Sequence, residues 1–420
     1  MKEKIIDLKY GKLHLIKTKK FRSINFKVLL KDEIKKEDIT KRNFLTDYLI
    51  YSTKKYNTRK KLALKIQDLY SLFLNSFNTR IGNYYVTRFN LSILNPKYTE
   101  NTMLESSLAL FHDVLFEPNI KNNKMDKEIF KTIKNNIEKE IITSVEDSRL
   151  YANEKMLEYI GNINLSYKGY GYLEDLENID EKNLYDYYKD FISKSDVDIY
   201  VIGDFNEKEI VSLVKKYLNF NTLKKSKGDI IIYHDKINKK PKEYIEDSKF
   251  KQSKLVIGCK LNNLTEFERK YVINLYNMIL GGGFNSKFMQ QIREENSLAY
   301  YINSSVNKAD NLLVINSGIS NQNYDKVLKL IKKILKSMNK DVTISELERV
   351  RIEYLSILDE SYDNIDNIVE NEIAKNLLQL DEYEKRVEEI KKVTIDDIKN
   401  ISKKVHLDTI FFLKGDNHGA

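Results

Sequence analysis

Stretches of period-two hydrophobicity alternate along the chain with longer stretches of period 3.6, a pattern that predicts packed layers of strands and helices. Between Lys12 and Lys31, LHLIK and SINFKVLLK alternate and read as two paired strands. A helix is predicted from about Lys36 to Tyr56. Another is predicted from Thr58, where Leu62, Ile66, Leu69 and Phe73 recur at helical spacing. From Asn83 to Leu94, NYYVTRFNLSIL alternates again as a strand. Helices are expected from Met103 to Phe116, from Met125 to about Ile160, and near Glu181 to Ile192. An aromatic and glycine loop, YKGYGY, lies from Tyr167 to Tyr172, and Val197 to Gly203 reads as a buried strand.

The second half repeats this order. IDEKNLYDYYKDFISKSDVDIYVIGD ends at Asp204, and VTIDDIKNISKKVHLDTIFFLKGD ends at Asp416, 212 positions later. Each is a capped helix running into an apolar strand that stops at Gly-Asp. Each also follows a long charged amphipathic helix, near 125–160 and near 344–376. The shared order implies internal duplication. The expected fold class is α+β, with two similar domains at 1–222 and 243–420. A polar linker at 223–242, with Lys-Lys-Pro at 239–241, joins them.

One stretch interrupts the periodicity: LGGGFNSKFMQQIREENSLAYYIN, from Leu280 to Asn303. A glycine inside a helix costs about 1 kcal/mol relative to Ala, so Gly281, Gly282 and Gly283 are expected to end the preceding apolar helix. Asn285 or Ser286 then caps a short helix from Lys287 to Glu294. A strand returns from Ser297, with Leu298 and Tyr300 on one face and Ala299 and Tyr301 on the other. Arg293 and Tyr300, seven residues apart, thereby come to one end of an exposed β edge or cleft. The glycines are not a phosphate loop, because no Lys-Ser/Thr follows them and no strand precedes them.

With 420 residues, 41% of them hydrophobic, and only 14 Gly and 3 Pro, the chain can bury a large core in two domains. Its one cysteine, Cys259, excludes an internal disulfide, reads as a small core residue, and fits a reducing, cytoplasmic compartment. The net charge of +9 comes from 71 basic residues intermixed with 62 acidic ones, which describes a solvated Lys-rich surface rather than a nucleic-acid patch. No apolar run of membrane-spanning length occurs. The start carries acidic residues and no long apolar stretch, so neither a secretion signal nor a transit peptide is expected.

The stretch from Leu280 to Ser304 resembles the C-terminal signature of the M16 (insulinase, pitrilysin and mitochondrial processing peptidase) family: a glycine turn, a helix with Arg, and a strand opening Leu-Ala-Tyr. The length resembles the short, two-domain M16B type. Two similar halves, the loop before Glu174 to Ile179, and Val201-Ile-Gly-Asp-Phe205 closing the first half are similar too. The resemblance implies two M16-type domains, each a mainly antiparallel sheet covered by helices. It also implies that Arg293 and Tyr300 correspond to the family's Arg and Tyr pair, which reaches toward a zinc site in the first half or in a partner.

The zinc motif is where the chain departs. Catalytic members carry His-x-x-Glu-His on a helix, which puts two imidazoles on one face for Zn²⁺ and leaves the Glu to activate water. Here Asn43-Phe-Leu-Thr-Asp47 stands in that place, with Asn43 and Asp47 for the His ligands and Thr46 for the base. Only Glu140 matches the distal Glu ligand. The five histidines, His14, His112, His234, His406 and His418, are far apart in sequence, so no such pair can be drawn elsewhere.

The resemblance therefore implies a non-catalytic M16B subunit with no metal or cofactor of its own. Its partner would be an HxxEH-bearing homologue that holds the zinc, and the two would form a clam-like chamber. This chain would supply Arg293 and Tyr300 as catalytic donors in trans, and a peptide would bind by strand addition near Gly281, Gly282 and Gly283. The nearest kind is the paired M16 proteins of Gram-positive bacteria, whose family name links them to elongation factor P modification. No nucleic-acid or membrane partner is expected. A homodimer, a structural M16-like scaffold and a stand-alone peptide-binding protein remain alternatives.

Overall fold

The computed structural model describes residues 3–222, 228–234 and 236–416. It divides into two compact units: Met1–Thr143 with Lys168–Gly228, and Ser144–Tyr167 with Asp229–Ala420. The division falls between residues 228 and 229, and residues 144–167 also join the second unit. Part of the linker expected at 223–242, residues 223–227, and His418 fall outside the described residues.

The first unit contains β1 (Glu3–Leu8), β2 (Gly11–Lys17), β3 (Ser23–Glu33), β4 (Phe73–Ile81), β5 (Tyr84–Leu94), a two-rung hairpin of β6 (Ile120–Lys121) and β7 (Lys124–Met125), and β8 (Asp196–Gly203). Its six-stranded sheet has the order β1-β2-β8-β3-β5-β4. The second unit contains β9 (Lys242–Asp247), β10 (Ser253–Leu261), β11 (Ala299–Asn307), β12 (Leu312–Ile319) and β13 (Val405–Lys414), ordered β11-β12-β10-β13-β9. Read from the opposite end, the second sheet matches the first strand for strand, with β1 added. β8 lies parallel to β2 and antiparallel to β3, and β13 lies parallel to β9 and antiparallel to β10. The duplication extends to the caps: Asp180 with Asn183, and Thr394 with Asp397, form capping boxes on the helices that feed β8 and β13. Each sheet packs its own apolar core, with Phe26, Phe44, Tyr48, Phe89 and Phe111 in the first and Ile257, Tyr276, Phe288 and Ile331 in the second.

Several expectations change in the folded chain. The strands of residues 12–31 form but do not pair, because β8 lies between them. The helix expected to reach Tyr56 runs over Lys36–Tyr51 and stops where Ser52 turns extended. Phe73 is not helical. Helix Arg59–Asp68 is followed by Tyr70 and Ser71 at positive φ (55° and 52°), and Phe73 opens the edge strand β4. The long helix near 125–160 is two, Lys127–Glu146 and Ser148–Tyr159. Asp147 between them accepts from the amides of Arg149 and Leu150, so the break carries its own cap. The helix near 344–376 also breaks, into Ile344–Glu360 and Ile365–Leu378, with Asn364 capping the second piece.

Gly11 shows how closely the central strand is seated. A Cβ there would lie 1.8 Å from the carbonyl oxygen of Val197, its cross-strand partner. Gly11→Ala is expected to destabilise the first unit by about 1–3 kcal/mol or more, because the clash is with backbone rather than a movable side chain. Gly169→Ala, with open space around the new Cβ, should leave the urea midpoint unchanged.

Candidate functional site

Helix 36–51 carries Asn43 to Asp47, and polar side chains of that stretch are tied into the sheet and the aromatic loop. Asn43 donates from Nδ2 to the carbonyl of Gly169 at 2.8 Å. Its Oδ1 accepts from Asn78 Nδ2 at 2.9 Å and from the Tyr85 hydroxyl at 2.8 Å. Asn78, on β4, also donates to Thr46 Oγ1 at 3.0 Å and accepts from Thr87 at 2.6 Å. Thr46 closes back on its own helix, donating to the carbonyl of Arg42 at 2.6 Å. The loop is pressed onto the helix as well: Tyr172 N donates to Thr40 Oγ1 at 3.0 Å. A Cβ on Gly171 (φ +94°) would lie 2.8 Å from that oxygen.

This arrangement does not fit a zinc ion. Zinc takes imidazole, thiolate or carboxylate donors, whereas Asn43 offers a neutral carboxamide oxygen already holding two hydrogen bonds, and Thr46 has no basic atom. Among the described residues, no group of three His, Cys, Asp or Glu side chains gathers to hold a metal. The fold does bring Asp47 and Glu140, on helix 127–146, within electrostatic reach. Asp47 is pushed up to about 6, first by burial and then by the negative charge of Glu140, with Arg59 opposing.

The histidines serve elsewhere. His14 stacks on Tyr200 with centroids 4.1 Å apart and bonds Glu3 at 2.7 Å. His112 and His234 bond the carbonyls of Tyr217 and Asp310, each at 2.8 Å. His406 pairs with Lys260 in the β10–β13 ladder. Cys259 is fully buried in the second core.

The second unit holds Arg293 and Tyr300 on irregular backbone. The preceding helix does not end at the first glycine: it runs through Gly282 and closes on a wide i→i+5 bond from Gly283 N to Met278 O at 3.1 Å. Gly281 is buried, and a Cβ there would lie 2.5 Å from Phe288 Cδ2 and 2.6 Å from Ser304 Oγ. It lets the helix meet β11. Gly282 is exposed, and Phe284, which periodicity does not single out, is 77% exposed just after the run.

Ser286 accepts from Met289 N at 3.5 Å at the start of the short helix, which ends on a second i→i+5 bond, from Glu295 N to Gln290 O at 2.9 Å. Ser297 at φ 51° reverses the chain, and its amide bonds the carbonyl of Arg293 at 3.1 Å. The strand begins at Ala299, two residues later than expected. Ala299 pairs with Ile319 and Tyr301 with Gly318, so Tyr300 is an extra residue pushed out of the ladder by a β-bulge and is 65% exposed. Arg293 is exposed too. Its one side-chain hydrogen bond among the described residues goes to Met289 Sδ at 3.5 Å, and it makes no ion pair there.

Residues 178–354 match the family described as Peptidase M16 inactive domain. Over 97% of both chains, the sequence is 28% identical to a probable inactive metalloprotease, YmfF, of Bacillus subtilis (strain 168). The chain is similar to M16 peptidases. Its fold matches a conserved protein of Enterococcus faecalis V583 with a TM-score of 0.92 at 25% identity, covering all of both chains. A peptidase M16 inactive domain of Pseudomonas fluorescens superposes with a TM-score of 0.81 at 16% identity, over 99% of each chain. The chain thus has two sheets of mostly antiparallel strands with helices, as the resemblance implied. Among its described residues no helix is long and apolar enough to cross a membrane.

The raised Asp47 has a definite pH signature. Because its folded pKa lies above its unfolded value, the native state holds more protons between about pH 4 and 6, and stability falls as pH rises through that window. Asp47→Asn should therefore raise Tm at pH 7.5 and change it little at pH 4, as read by thermal unfolding.

Proposed function

We propose that this chain is the non-catalytic subunit of a heterodimeric M16B zinc peptidase, lending Arg293 and Tyr300 to a partner that carries HxxEH. The reading rests on one contrast. Asn43 and Thr46, in the stretch set against the zinc motif, are used up in a hydrogen-bond network, while Arg293 and Tyr300 stand exposed. A guanidinium and a phenol suit a peptide carbonyl and the oxyanion that forms from it. Gly282 and Phe284 offer surface beside them for a bound peptide, and Gly281 and Gly283 shape that surface from within. The partner would supply the hydrolytic centre, and peptide-bond cleavage would belong to the pair. We place the pair in the cytoplasm, where a lone buried thiol stays reduced. A homodimer is the competing assembly, and a link to elongation factor P modification is the matching physiological context.

Two measurements test this. The purified chain should carry no stoichiometric zinc and cleave no peptide. Tightly held zinc with chelator-sensitive cleavage would overturn the proposal. Co-expressed with an HxxEH homologue from a neighbouring reading frame, it should form a pair whose kcat falls roughly 100-fold or more with Arg293→Ala, and less with Tyr300→Phe, while assembly stays intact. Unchanged turnover would return both residues to a structural role and favour a scaffold.

A further inference from the structure

The two sheets differ at one end. In the first, β1 lies outside β2; in the second, no strand among the described residues takes the matching place outside β9. β9 is therefore an edge, at the opposite end of its sheet from β11. Ser248, which continues β9, donates its amide to the carbonyl of Lys414 on β13 at 2.8 Å. Backbone groups alternate sides along a strand, so Glu243, Ile245 and Asp247 turn their amides and carbonyls away from β13. These outward groups make no hydrogen bond among the described residues. All three residues are exposed, Ile245 by 57%.

The side chains of β9 are anchored on both faces, which holds the edge straight. Glu243 accepts from the Tyr324 hydroxyl at 2.5 Å on one face. On the other, Tyr244 stacks on Tyr159 with centroids 3.9 Å apart, and Glu246 accepts from the Tyr151 hydroxyl. The strand is acidic in a basic chain, with Glu243, Glu246 and Asp247 against Lys242. Asp247 pairs with Lys414 at 3.1 Å yet keeps 83% of its side chain exposed. The covered edge of the first unit shows the opposite signs. There β2 carries Lys12, His14 and Lys17, and β1 meets it antiparallel with Asp7 directly opposite Lys12 and Glu3 bonded to His14 at 2.7 Å. A strand that covers this edge thus matches its host in charge.

We propose that the outer edge of β9 takes up an extended basic segment of a partner protein as an added antiparallel strand, in the place that β1 fills in the first unit. Residues directly opposite each other in such a pair share a face. The segment therefore carries Lys or Arg opposite Glu243 and Asp247 and a β-branched residue opposite Ile245, a basic-x-apolar-x-basic pattern. Its backbone exchanges hydrogen bonds with the outward groups of Glu243, Ile245 and Asp247, which only a peptide in extended form can do. A second copy of this chain would bring the same excess of carboxylates to the seam, and like charges across strands repel. The proposal does not rest on the paired-peptidase reading and holds whether or not a catalytic partner exists.

The test uses the full chain at low salt, where charge recognition is least screened. The probe is a fluorescent peptide, Thr-Lys-Thr-Val-Thr-Lys-Thr, read by anisotropy. N-methylation of its Val and both Lys residues, whose amides face β9, should weaken binding about tenfold or more, while N-methylation of the two Thr residues beside Val should cost less than about twofold. Replacing both Lys by Glu should abolish binding. Glu243→Gln with Asp247→Asn should weaken it about fivefold or more, and Glu138→Gln with Glu146→Gln, an equal charge change on helix 127–146, less than about twofold. Ile245→Pro removes the central outward amide and leaves the bonds to β13 in place, so binding should be lost with the fold intact by circular dichroism. Equal binding of the two methylated peptides, equal loss in both double variants, or a concentration-dependent dimer that Ile245→Pro abolishes would each overturn the proposal.

Discussion

Each half of this molecule is closed by its last strand. β8 enters between β2 and β3, and β13 enters between β9 and β10, so the strand made last in each unit becomes an inner strand of its sheet. Both are buried along most of their length, and both pair on two sides, parallel on one and antiparallel on the other. Parallel pairing needs a long crossover, so the helices and loops between first and last strand are held in place by the same closure. Helix 36–51 in the first unit, and the glycine-to-strand stretch in the second, both lie inside such a crossover. Whatever chemistry the chain supports depends on that strand being seated.

Around Asn43, the hydrogen bonds leave no free ligand atom. Metal ligands must be free and electron-rich, whereas the carboxamide of Asn43 has its oxygen and nitrogen both committed, to β4, β5 and the aromatic loop. Tyr85 spans the same partners, bonding both Asn43 and the carbonyl of Gly169 at 2.9 Å. Asn43 is a polar rivet between helix, sheet and loop. Asp47, on the same helix, is raised first by its burial and then by repulsion from Glu140.

Irregular backbone collects around Arg293 and Tyr300. Two wide helical turns, a left-handed Ser297 and a bulge at Tyr300 follow one another within a short stretch. Each departs from the lower-energy regular geometry, and such departures persist where packing over-determines them, often at functional sites. Gly281 shows that the packing is demanding here, since its missing side chain is what admits Phe288 and Ser304.

The sequence by itself determined whatever has a local cause. The capped helices before β8 and β13, the Gly-Asp ends, the repeat and the lost HxxEH motif were all legible, because caps, periodicity and residue identity act over a few positions. Arg293 and Tyr300 were singled out as candidates by the family resemblance. Only the tertiary structure decided that β8 separates β2 from β3, that Phe73 opens a strand, that residues 144–167 join the second unit, and that a bulge turns Tyr300 outward. Asn78 and Tyr85 became site residues for the same reason. Strand partners, register and long-range hydrogen bonds are chosen by segments far apart in the chain, and hydrophobic periodicity within one segment carries no record of them.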